Sequence, residues 1–149
     1  MALAVIVVLY ISIGLMAAAG TIAIVRKLLP MRAEQIFYGL FLVLIAAFYL
    51  AFTAYFDNPR AWPLEAVAVA LFTLFGVLGC RIPAWLIAGY LLHGVWDLFH
   101  ELPVYTTVEI GTDRLTEIPM AYGVFCIAYD WCMAAYIYVR RRAWRTVGL

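Results

Sequence analysis

The first part of the chain is one uninterrupted apolar stretch, which reads ALAVIVVLYISIGLMAAAGTIAIV from Ala2 to Val25. The stretch contains no charged residue, and a helix that crosses a lipid bilayer needs about 20 mostly apolar residues. No basic region precedes it, and it is longer than the roughly 7–15 apolar residues of a secretory signal peptide. We therefore expect a transmembrane helix at this position.

Further stretches of the same character follow, and the composition of the whole chain agrees with them. Hydrophobic residues make up 68% of the 149 residues and charged residues 13%, whereas soluble domains have about 45–50% and about 25%. A soluble chain of this size could not bury so much apolar surface. We predict an all-α integral membrane bundle, a single transmembrane domain over residues 1–149, with five spans at about 2–25, 33–56, 64–80, 82–100 and 118–139.

The basic residues indicate how these spans are oriented. Cytoplasmic loops of membrane proteins carry an excess of lysine and arginine, and here all but two of the 10 basic residues fall on one side of the predicted bundle. The exceptions are Arg60 and Arg114. The pattern predicts an outside N-terminus and a cytoplasmic C-terminus in a multi-pass membrane protein. A net charge of +1 gives no reason to expect nucleic acid as a partner. The basic residues on the predicted cytoplasmic side are Arg26, Lys27, Arg32, Arg81, Arg140, Arg141, Arg142 and Arg145.

The fourth predicted span contains an unusual number of ionisable residues, in the segment HGVWDLFHE from His93 to Glu101. At about 100° per residue in an α-helix, His93, Asp97, His100 and Glu101 share one arc of roughly 100°. Tyr90 continues this polar stripe by one more turn. An ionisable residue at the centre of a bilayer costs about 2.5–3.5 kcal/mol, and such residues usually face the bundle interior and mark a functional site.

The fifth predicted span carries Asp130 at a depth that matches that of His93. The rise per residue places both roughly 15–16 Å from the cytoplasmic face. The fifth span runs back antiparallel to the fourth, after a loop from Glu101 to Glu117. Gly123 and Cys126 share the face of Asp130 and would let the two helices approach closely. We therefore expect His93 and Asp130 to be in contact. A purely structural pair between helices, worth about 0.6 kcal/mol, is the alternative.

Paired titratable side chains are what general acid–base catalysis needs. The hypothesis is a membrane-embedded acid–base enzyme of the isomerase, cyclase or hydrolase type. It would act without a cofactor on a lipid-soluble small molecule, with the lipid bilayer and this hydrophobic ligand as its partners. The expected catalytic residues are His93, Asp97 and Asp130. The expected substrate-binding residues are Tyr90, Trp96, Trp131, His100, Glu101 and Glu65.

Three other functions fit the same residues. His93, Asp97 and Asp130 could ligate a metal ion, for which mixed histidine and carboxylate ligands favour zinc or iron. A line of ionisable groups could also serve a proton-coupled transporter or channel subunit, which at this size would have to form a homo-oligomer. Alternatively, the stripe could meet a partner subunit without any catalysis.

Two segments resemble known membrane proteins. HGVWDLFH from His93 to His100 and CIAYDW from Cys126 to Trp131 resemble small bacterial integral membrane proteins of unknown function, which carry an H-x-x-W-D-x-x-H pattern and a later aspartate. The spacing of His93 and Asp97 is also loosely similar to that in emopamil-binding-type sterol isomerases, five-helix membrane proteins with histidine and acidic residues in the bundle. Aspartate stands here where those enzymes have glutamate. The resemblance implies a helical fold and a location in a bacterial inner membrane, and only by analogy acid–base chemistry.

Overall fold

The computed structural model describes residues 2–105 and 114–147, and within these ranges all regular structure is helical. The prediction of an all-α fold is confirmed. The helices are α1 (Ala2–Leu28), α2 (Met31–Tyr55), α3 (Trp62–Gly79), α4 (Pro83–Tyr105) and α5 (Tyr122–Val147).

Four of these helices are long and apolar enough to cross a membrane, namely α1, α2, α3 and the Tyr122–Trp144 part of α5. This agrees with a multi-pass membrane protein. The helix α4 is long enough, with 23 residues, but it is not among the four. It is the helix that carries the polar stripe, whose histidine and acidic side chains lower its hydropathy.

The distribution of side chains differs from that in a soluble protein. Large apolar residues cover the outside, as at Leu40 and Val67, both 59% exposed, and Val139, 77% exposed. Charged and polar side chains are buried inside, among them Glu34 and Glu65. Soluble monomers rarely expose extended apolar surface and almost never bury a charged group without a partner. The outer surface is therefore suited to contact with lipid chains.

The helices do not pack in chain order. α5 packs between α1 and α4, while α3 packs between α2 and α4, and α2 also contacts α4 and α5. The helices α4 and α5 approach closely at Gly123, where an added Cβ would lie 2.6 Å from the carbonyl oxygen of Asp97. Only glycine allows the two backbones to come this close. The two helices that carry His93 and Asp130 are thus held together.

The start of α5 differs from the sequence-based expectation. The predicted span begins near Ile118, whereas α5 begins at Tyr122. Pro119 lies in the segment before the helix, and Ala121 has a φ of 61°, which is outside the helical region. The backbone therefore turns at Ala121 before it enters α5.

Candidate functional site

The centre of the bundle contains a buried histidine between two carboxylates. His93 Nδ1 lies 2.7 Å from Asp130 Oδ2 and 3.1 Å from Asp97 Oδ2. His93 and Asp130 are each 1% exposed and Asp97 is fully buried. The expected contact between His93 of α4 and Asp130 of α5 is present in the structure. Since a ring nitrogen donates only one hydrogen, the two carboxylates compete for the hydrogen on Nδ1.

A tyrosine from a third helix completes this group. The hydroxyl of Tyr49 in α2 donates a hydrogen bond to Asp97 Oδ1, and the tyrosine is only 1% exposed. We call His93, Asp97, Asp130 and Tyr49 the central cluster. Sequence reasoning missed Tyr49, because one uncharged tyrosine in an apolar segment is not distinctive by itself. A signal was present in helical spacing, since Tyr49 lies on the buried face of α2 with the polar residues Glu34, Gln35, Tyr38 and Thr53.

Two buried atoms of the central cluster have no hydrogen-bond partner among the described residues. They are Nε2 of His93 and Oδ1 of Asp130. A buried polar atom without a partner costs about 1–3 kcal/mol. Because Nδ1 is held by carboxylates, Nε2 is the ring atom left to exchange a proton with a ligand.

A second polar group lies closer to the C-terminal end of α4. His100 Nε2 is 2.7 Å from Glu65 Oε1, and its Nδ1 donates to the carbonyl oxygen of Trp96 at 2.9 Å. Glu65 also accepts hydrogen bonds from the indole of Trp96 at 3.3 Å and from the backbone of Thr116 at 3.0 Å. We call Glu65, Trp96, His100 and Thr116 the outer cluster. The ring of Tyr49 links it to the central cluster, because its centroid is 4.4 Å from that of the His100 ring.

Glu101, the last member of the polar stripe, has a structural contact instead. Its two carboxylate oxygens accept hydrogen bonds from the backbone N–H groups of Ala121 at 3.0 Å and Gly123 at 2.9 Å. Glu101 is 2% exposed, so it caps the first turn of α5 from inside the protein. A carboxylate is favourable at this end of a helix. Both oxygens are occupied, and the side chain is therefore less available to a substrate than the sequence suggested.

The two remaining expected binding residues lie outside both clusters. Tyr90 is fully buried, and its hydroxyl donates to the carbonyl oxygen of Tyr38 at 3.0 Å, which joins α4 to α2. Trp131 is 49% exposed on the outside of the bundle. Its indole covers Gly94, where an added Cβ would lie 2.8 Å from the indole nitrogen. The structure thus places Trp131 on the outer side of the contact between α4 and α5.

An apolar groove of about 270 Å³ runs along the outside of the bundle between α3 and α4. Phe72 and Trp96 are among the residues that line it, together with Leu64, Val67, Ala68 and Leu71. The ring of Phe72 also packs edge-on against the imidazole of His93, with 4.8 Å between the centroids. Phe72 therefore separates the groove from the central cluster. Nothing in the sequence distinguished it from the other eight phenylalanines of the chain.

The central cluster also has the donor set of a metal site. One donor atom from each of His93, Asp97 and Asp130 can be chosen so that all three lie within 4.8 Å of one another. One nitrogen and two oxygens suit zinc or iron. The three residues therefore fit a metal ion as well as they fit a hydrogen-bonded network.

A further buried carboxylate stabilises the opposite end of the bundle. Glu34 accepts hydrogen bonds from the indole of Trp144 at 2.9 Å, from Arg140 Nε at 3.2 Å and from the hydroxyl of Tyr136. These contacts join the start of α2 to the end of α5. Every oxygen of this carboxylate has a partner, so the group is structural.

Fold and site together define a helical bundle of the membrane type with a buried histidine–carboxylate cluster. The chain belongs to the DUF6010 family, a family of unknown function, whose family model matches residues 5–143. No curated protein and no solved structure matches the chain. The comparisons give no evidence for the H-x-x-W-D-x-x-H pattern as a signature or for the similarity to sterol isomerases.

Proposed function

We propose that the protein is a membrane-embedded acid–base enzyme that acts on a lipid-soluble small molecule. One observation supports this most strongly. His93 is buried with Nδ1 between two carboxylates, its Nε2 has no partner among the described residues, and its ring packs against Phe72, which lines a groove on the outer surface of the bundle. A histidine held in this way presents Nε2 as a general acid or base.

We further propose that all five helices cross the membrane, with the N-terminus outside. In this arrangement α4 has its polar face against α2, α3 and α5, which supply partners for the charged groups. The end that contains Glu34 and Arg140 would be cytoplasmic, as the basic residues favour. A C-terminal fusion of green fluorescent protein in a bacterial host should fluoresce, and a C-terminal alkaline phosphatase fusion should be inactive. The opposite result would reverse the proposed orientation.

Isomerisation is the reaction that the central cluster can perform with the fewest additional components. His93 begins as the imidazolium and donates the proton on Nε2 to one carbon of a C=C bond, which leaves the positive charge on the other carbon. Nε2 then takes a proton from the carbon next to this cation. One C–H bond forms and one breaks, the double bond moves by one position, and the ring is again the imidazolium. The carboxylates of Asp97 and Asp130 hold Nδ1–H and stabilise the protonated ring.

The experiment is deuterium incorporation in D2O. Purified protein in neutral detergent is incubated with a total lipid extract of the source membranes, and the lipids are analysed by mass spectrometry. We expect one lipid class to gain deuterium, and the His93→Gln variant to lose about 100-fold or more of the rate. The matched control is Glu34→Gln, which changes a buried carboxylate at the other end of the bundle and should keep the rate within about twofold. Absence of labelling by the unaltered protein, or equal labelling by His93→Gln, would contradict the proposal.

A metal centre is the second candidate, because the three donor atoms of the central cluster converge. The test is the metal content of untagged protein purified without chelator, beside a His93→Ala variant. Stoichiometric zinc or iron that is lost in the variant would make Asp97 and Asp130 metal ligands. Absence of metal from both preparations would exclude the metal centre and favour proton transfer by the side chains of the central cluster.

A further inference from the structure

A basic pocket adjoins the apolar groove near the start of α3. It has a volume of about 600 Å³ and is lined by Arg60, Pro63, Leu64, Val67 and Arg114. Leu64 and Val67 also line the groove. The groove and the pocket therefore share a wall, and a single molecule can occupy both.

The two arginines reach this pocket from distant parts of the chain. Arg60 precedes α3, and Arg114 lies between α4 and α5. Both are exposed, and in the described ranges the ion pairs involve neither of them. They are also the two basic residues that the orientation of the chain does not explain, because they lie at the predicted outer end. Two arginines at one pocket are well suited to a phosphate group, which guanidinium binds through paired hydrogen bonds.

The groove has the opposite character. Its lining residues in the described part of the chain carry no charge, and the indole of Trp96 among them already donates to Glu65. Val67 and Leu71 are 59% and 52% exposed at its edge. Binding of an apolar chain along this surface is favourable, because it removes apolar area from water. A polar chain would find no hydrogen-bond partner there.

We propose that the groove and the arginine pair together bind a single-chain lipid with a phosphate headgroup, and that this is the substrate class of the central cluster. The second of these claims, that the lipid is the substrate, rests on the proposed function. Phe72 lies about 12 Å beyond Leu64 along α3, at 1.5 Å per residue. The part of the ligand that approaches His93 therefore belongs to the chain, and the headgroup stays at the arginines. A double bond within the chain is the position at which the proton would be exchanged.

The headgroup is tested by native mass spectrometry in neutral detergent with dodecyl phosphate as the probe. We expect binding to the unaltered protein, and a loss of affinity of about tenfold or more when Arg60→Gln and Arg114→Gln are combined. The matched control combines Arg81→Gln and Arg142→Gln, which removes the same charge from exposed arginines at the other end of the bundle. That control should bind within about twofold of the unaltered protein. Equal losses in the two double variants, or no loss in either, would overturn the proposal.

The chain is tested by filling the groove. Leu71 and Leu74 are both leucines of α3 and both 52% exposed, but only Leu71 lines the groove. Leu71→Trp should weaken binding of dodecyl phosphate by about tenfold, whereas Leu74→Trp should leave it unchanged. Inorganic phosphate at the same concentration should not displace the probe, and displacement would assign the pocket to free phosphate instead. Binding requires no turnover, so its failure leaves the acid–base proposal standing, and failure of deuterium incorporation leaves the lipid site standing.

Discussion

The carboxylate of Glu101 determines where α5 begins, and its removal is the sharpest test of the structural part of the site. Two backbone N–H groups donate to it, at 3.0 Å from Ala121 and 2.9 Å from Gly123. A hydrogen bond to a charged group contributes about 1.5–3 kcal/mol, and the charge adds about 0.3–1 kcal/mol at a helix N-terminus. Glu101→Ala loses both bonds and leaves two donors buried. We expect it to lower the free energy of unfolding by about 4 kcal/mol.

Glu101→Gln should have an intermediate effect. The amide keeps one acceptor oxygen but presents an N–H group to the second backbone donor, so we expect a loss of about 2 kcal/mol. The measurement is unfolding in mixed micelles of neutral detergent and dodecyl sulfate, followed by far-ultraviolet circular dichroism. The control is Glu117→Gln, an exposed carboxylate near the same helix end, which should change stability by less than about 0.5 kcal/mol. If Glu101→Gln is as mild as this control, the carboxylate is not a cap and becomes a candidate ligand-binding group again.

Three further predictions concern packing, the central cluster and the membrane. Gly123→Ala places a methyl group 2.6 Å from a backbone carbonyl of α4 and should lower the free energy of unfolding by about 2 kcal/mol. Its control is Gly20→Ala, where an added Cβ meets nothing within 4 Å. This control should be neutral or stabilise the protein by up to about 1 kcal/mol. Tyr49→Phe leaves a carboxylate of the central cluster without its hydroxyl donor, so the same unfolding assay should show a loss of about 1–3 kcal/mol. Brominated lipids should quench the fluorescence of a variant whose single tryptophan is Trp131, which is 49% exposed. They should hardly affect a variant whose single tryptophan is Trp144, which is 4% exposed. Equal quenching of the two would contradict the proposed lipid-facing surface.

Much of the fold follows from local patterns in the sequence. Apolar stretches of spanning length predict helices, because a backbone in lipid must satisfy its own hydrogen bonds. The helical period places His93, Asp97, His100 and Glu101 on one face, and each of them is buried. The contact between His93 and Asp130 also follows from the sequence, because depth along an antiparallel pair of helices depends only on residue count.

The tertiary structure decided how this polar face is divided. His100 pairs with Glu65, and Glu101 caps α5. Neither side chain therefore belongs to the central cluster. Periodicity places residues on a face of one helix but does not say which residue of another helix faces them. For the same reason, Tyr49 and Phe72 could not be identified from their own segments.

The pairing of Arg60 with Arg114 depends on the fold to the same degree. The two are far apart in the chain, and each alone is an ordinary exposed charge. They meet because α3 and α4 pack side by side and bring the link before α3 close to the segment before α5. The sequence by itself determined the class of protein and the depth of its ionisable groups, since these depend on hydropathy and helical rise. The partners of those groups were decided by packing between helices, which depends on side chains that are distant in the chain.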